Sequence, residues 1–152
     1  MTLQSFRRGY ERVLEWICIA LMAALAAEVT AGVVFRYSGH SLVWYDEVAT
    51  ILLAWVTFYG SALAALKGAH MGVPEIVAML PPRGRVAAAT VAQVFVIAFF
   101  VLLAWVGYTI LEVLASDRLI SLPQVPAAYA NSVIPISAVL IVVAQLLVFP
   151  EV

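Results

Sequence analysis

A chain of 152 residues that is 65% hydrophobic and only 11% charged does not read as a water-soluble domain, in which about a quarter of residues are charged. Its formal net charge of −1 offers no basic surface for nucleic acid, and a single cysteine, Cys18, excludes an internal disulfide. The composition specifies an all-α integral membrane protein in one domain, with Cys18 as a small apolar side chain.

The first apolar segment, residues 13–35, exceeds the roughly 20 helical residues needed to cross a bilayer. Arg7-Arg8 before it and Ala24-Leu25-Ala26 within it overlap with a secretory signal pattern, but the apolar run continues to Phe35, which favours a retained span. Ala20, Ala24, Glu28 and Gly32 recur every fourth residue and predict a contact stripe, because small residues let helices approach closely in lipid. A carboxylate at the depth of Glu28 is expected to face protein or water, or else to be protonated. A structural polar contact, in the bundle or with a partner, is the favoured role, and a proton or cation site the alternative.

Phe35-Arg36-Tyr37 leads through a short loop to Trp44-Tyr45-Asp46-Glu47, which opens the second segment, residues 44–66. The acidic pair Asp46-Glu47 complements the positive end of the helix dipole there. The loop is short enough to bring Arg36 to that pair, so these charges are expected to fix the angle between the first two spans or to anchor a partner. Trp55 lies at mid-span, whereas a lipid-facing tryptophan prefers the interface, so it is predicted to turn toward protein. Gly60, Ala64 and Gly68 predict a second close-approach stripe.

The loop of residues 67–85 carries Gly68-Ala69-His70, and Pro74-Glu75 then suits the start of a short interfacial helix over 74–80. The third segment, residues 86–111, has no charge and spans roughly 39 Å at 1.5 Å per residue. It should tilt or protrude, and bulky positions such as Phe99-Phe100 suit a helix facing lipid. The fourth segment, residues 127–149, reads as one further helix. Arg7, Arg8, Arg12, Lys67, Arg83 and Arg85 fall on one side, against Arg36 and Arg118 on the other. That bias places both termini and the central loop in the cytoplasm, with Tyr37, Trp44, Tyr45, Tyr108 and Tyr129 marking the opposite, periplasmic boundary.

His40 and His70 flank the second span on opposite sides and cannot share a haem. No cysteine–histidine cluster, nucleophile–base pair or glycine-rich phosphate loop is present, so neither an enzyme nor a bound cofactor is expected. Glu28 alone is too little intramembrane charge for a carrier acting by itself. An accessory or scaffold subunit fits best. A stand-alone, small multidrug-type proton-coupled carrier using Glu28 and a membrane anchor of a redox enzyme are the alternatives.

Arg36, Trp44-x-Asp46-Glu47, Trp55, Phe58-x-Gly60, Gly68-Ala69-His70, Leu80-Pro81, Tyr129 and Ile134-Pro135-Ile136 occur in an order and spacing that resembles one family. It is the DctQ-like small membrane subunit of tripartite ATP-independent periplasmic (TRAP) transporters, and the resemblance covers nearly the whole chain. It departs where Asp46 stands for a glutamate, and where Val73-Pro74-Glu75 replaces a valine–aspartate after His70. The resemblance implies a scaffold in the bacterial inner membrane for a large multi-span permease subunit that carries substrate and sodium. A periplasmic substrate-binding protein would deliver the cargo, an organic acid or sialic acid. Glu28, Arg36, Trp44, Asp46, Glu47, Trp55, Gly60, Gly68 and His70 would then serve as subunit contacts or structural anchors.

Overall fold

The first helix begins at Leu3, well before the apolar run, because Gln4 to Arg12 contains few helix breakers and Arg7 and Tyr10 find partners on the bundle. In the computed structural model, which describes residues 3–40, 42–68 and 81–148, this helix, α1, spans Leu3–Tyr37. It ends where Gly39 takes φ +77°, with the Gly39 amide on the Arg36 carbonyl and the His40 amide on that of Phe35. This is a left-handed glycine stop, conformationally open to glycine. Helix α2 (Tyr45–Leu66) ends similarly at Gly68, φ +66°. Helix α3 (Pro82–Leu114) starts with proline in its first turn, where a missing amide costs nothing. The segment read as a fourth continuous span is instead broken into α4 (Ala127–Asn131) and α5 (Val133–Val148). Pro135 explains the break, since its ring would meet the Asn131 carbonyl one turn back and it has no amide to donate.

Among the described residues, four stretches are long and apolar enough to cross a membrane: Phe6–Tyr37, Tyr45–Leu66, Pro82–Leu114 and Ala127–Val148. The predicted interfacial helix at 74–80 and His70 lie outside the described residues. Helices α2 and α5 form the inner pair, with α1 against α2 and α3 against α5. The core lies at the end holding the start of α1 and the ends of α2 and α5. There Leu14, Ala62, Ala65, Leu66, Ile141 and Ala144 are buried together. The opposite end, called the hairpin end below, holds the α1–α2 and α3–α4 turns. Total accessible surface is 10468 Å², against about 7,500 Å² for a compact water-soluble domain of this mass. Large apolar side chains are among the exposed ones and suit lipid: Phe95 and Trp105 on α3, for instance, are 72% and 73% exposed.

The α1 contact seam corrects the predicted one. Leu14, Cys18, Leu21, Leu25, Glu28 and Gly32 form a shielded row stepping by four and three residues in turn, with Glu15 and Ile17 partly shielded beside it, while Ala20 and Ala24 are exposed. Such a 3.5-residue period keeps one face on a neighbour in a left-handed crossing. Glu28 and Gly32 belong to both patterns.

Polar pairs that no local pattern announces also bind the helices. Gln93 on α3 donates to the Gln145 side chain on α5 at 2.9 Å, and Tyr10 donates to the Leu140 carbonyl at 2.7 Å. Lys67 sits 2.6 Å from Glu15 and 3.6 Å from Glu11, and the hydrogen bond to Glu15, then the charges of both carboxylates, hold its ammonium above the usual lysine range. Gln93→Leu leaves the buried Gln145 amide unpaired, so unfolding in detergent should show a loss of about 1 kcal/mol. The double Gln93→Leu, Gln145→Leu chain should recover part of it.

Candidate interaction site

The first turn of α2 carries Asp46 and Glu47, with Trp44 as its N-cap and no side chain capping it. Their fates diverge. Glu47 does not pair with Arg36: its Oε1 accepts the Ile120 amide at 3.1 Å, and its Oε2 accepts the Ser121 amide at 2.8 Å and the Ser121 hydroxyl. The carboxylate therefore pins the α3–α4 loop to the start of α2. That loop is itself closed by Leu119 donating to Val125 and Ala127 to Asp117. A partner 74 residues away could not be read from the sequence around Trp44-x-Asp46-Glu47.

Arg36 and Asp46 line one cleft of about 320 Å³ between α1 and α2 at the hairpin end. Among the described residues no ion pair joins them, and neither charged group makes a hydrogen bond. The floor is Gly32 under the Tyr45 ring: a Cβ built on Gly32 would lie 2.0 Å from one ring carbon. Glycine is required there for close approach, a role the small-residue spacing hinted at without naming Tyr45. One turn further in, both carboxylate oxygens of Glu28 are shielded and meet no hydrogen-bond partner. Glu28→Gln keeps the shape and removes the charge, so it is expected to melt at the same or a higher temperature. A drop of about 3 °C or more, the size of a 1 kcal/mol loss, would reveal a partner for the carboxylate.

Trp55 donates its indole N–H to the Ala130 carbonyl at 3.0 Å, just before the α4–α5 break. The mid-span tryptophan thus ties α2 to α4. Tyr59, Ala62 and Leu66 continue this packed face. The opposite face of α2 carries Asp46, Thr50, Leu53, Thr57, Gly60 and Ala64. Among the described residues nothing lies within 4 Å of a Cβ placed on Gly60, so Gly60 in the predicted stripe makes no close helix contact with them. The hydroxyls of this face bond back to their own helix, Thr50 to the Asp46 carbonyl and Thr57 to that of Leu53. Gly68 leaves the stripe's logic altogether: it is exposed and serves the α2 stop. The site thus divides into internal fasteners (Glu47, Trp55, Gly32), an open charged cleft (Arg36, Asp46) and a small-residue face with open space beside Gly60.

Comparison with known proteins places these residues in context. Residues 25–149 match the family described as "Tripartite ATP-independent periplasmic transporters, DctQ component". A TRAP transporter small permease protein of Haemophilus influenzae is 33% identical over 86 residues, 55% of this chain and 52% of the relative. The ectoine TRAP transporter small permease protein TeaB of Halomonas elongata is 35% identical over 101 residues, 64% of this chain and 52% of the relative. The chain spans about half the length of these curated relatives.

Proposed function

The chain belongs to the DctQ component family of tripartite ATP-independent periplasmic transporters, and from that membership we propose that it is the static scaffold of a sodium-coupled importer of organic acids, sialic acid among them. It is a transport component rather than an enzyme, and a multi-pass protein of the bacterial inner membrane. In this reading a large multi-span permease subunit carries substrate and sodium, and a periplasmic substrate-binding protein delivers the cargo to it. The arginine and lysine bias supports a cytoplasmic position for the termini and the central loop with His70, and a periplasmic one for the hairpin end. Substrate choice then rests with the partners; ectoine in the name of one relative describes that transporter.

One observation carries the scaffold reading. Helix α2 packs one face into the bundle through Trp55, Tyr59, Ala62 and Leu66, while on the opposite face Thr57 is exposed and, among the described residues, a Cβ on Gly60 would meet nothing within 4 Å. In lipid, where apolar surface gives no drive to associate, a strip of small residues is what lets a second protein's helix come close. Glu47 and Trp55 tie α2 to the α3–α4 loop and to α4, so such a partner would meet a braced helix. Trp44 and Arg36 border the same end.

Reconstitution in liposomes tests this. The chain alone should give no uptake under a sodium gradient, and the chain with its large permease and binding protein should. Uptake by the isolated chain, or full uptake by the large permease without it, would overturn the scaffold role.

A further inference from the structure

We propose that the cleft between α1 and α2 at the hairpin end binds the zwitterionic headgroup of a phospholipid, with its phosphate on Arg36 and its ammonium on Asp46. The two side chains carry opposite charges, line the same cleft of about 320 Å³, and are not joined to each other or to any described donor or acceptor. A simple anion seated on Arg36 would meet the Asp46 carboxylate, and a simple cation on Asp46 would meet the guanidinium. A ligand that bears both signs satisfies each at once. The planar guanidinium suits two phosphate oxygens, the geometry that makes such contacts strong.

The remaining surroundings select a lipid over a soluble zwitterion. Val33, Leu42 and Val43 supply apolar wall around the charges, and Val29 and Val33 stay 38% and 44% exposed along α1 toward the membrane interior. An acyl chain covers that surface, and a free zwitterion does not. Tyr37 and Trp44, flanking the cleft in sequence, are the residue types that sit at headgroup level.

The test uses the full chain co-purified with its large permease from nanodiscs holding equal phosphatidylethanolamine and phosphatidylglycerol, with retained lipid identified by native mass spectrometry. Wild type should keep phosphatidylethanolamine in preference. Arg36→Gln should lower its retention roughly tenfold, the effect of one lost charge-assisted contact. Asp46→Asn should turn the preference toward phosphatidylglycerol, because the ammonium partner is gone while the phosphate partner stays. Helical content by circular dichroism confirms that each variant is folded. Equal retention of the two lipids by wild type would overturn the proposal, as would variants that leave retention unchanged. Soluble phosphoethanolamine competing as well as the lipid would overturn the lipid assignment. Loss of the large permease from Arg36→Gln with lipid retention unaltered would make the cleft a protein contact instead.

Discussion

Gly32→Leu should sharply reduce the folded chain recovered from the membrane, because it drives α1 and α2 apart at the hairpin end. The Tyr45 ring lies so close over Gly32 that a Cβ alone would fall 2.0, 2.1 and 2.7 Å from three of its carbons. Those are overlaps, so the ring must swing out of its seat between the helices or carry the first turn of α2 with it. Overpacking typically costs about 1–3 kcal/mol, and leucine adds three further carbons to the same space. Glu47 makes the damage spread, since moving the first turn of α2 also pulls on the loop it holds at Ile120 and Ser121. Thermal unfolding and yield in mild detergent measure the effect. Gly32→Ala should be milder, and Gly32→Ala with Tyr45→Ala should restore stability because the space is returned. If the double variant is as poor as Gly32→Ala, the clash is not the cause.

How far the fold can be read in advance depends on the range over which each determinant acts. The four crossings are set by local composition and are legible at once. The break at Asn131–Ser132 is local too, since Pro135 removes a hydrogen bond one turn back, yet a long apolar run conceals it. The α1 seam is half legible: a four-residue step captures Glu28 and Gly32, but over about three turns it drifts off the contact face and selects the exposed Ala20 and Ala24. Long-range pairings were not legible. Gln93 with Gln145, and Glu47 with Ser121, depend on the relative height of helices far apart in sequence. Arg36 looked like the natural partner of the acidic pair because both flank a short loop. The geometry gives Glu47 three donors elsewhere and leaves Arg36 facing Asp46 across a cleft.

Gly60→Leu, alone and with Ala64→Leu, is expected to abolish transport by the complete system while the chain itself folds as well as before or better. The contrast with Gly32 comes from what surrounds each glycine. Gly60 has open space where a side chain would go, so leucine causes no clash inside the bundle. It also removes a mid-helix glycine, worth about 1 kcal/mol of helix propensity. Stability in detergent should therefore hold or rise. Against a partner helix the same leucine stands in the way: close approach over small residues is what the face offers, and one large side chain there blocks it. Co-purification with the large permease should fall to background, and uptake with it. Phe95→Leu, on the exposed face of α3 and away from this strip, should leave assembly unchanged and serves as the control. A Gly60→Leu chain that co-purifies and transports normally would show that this face meets lipid, and the large subunit would then have to dock elsewhere.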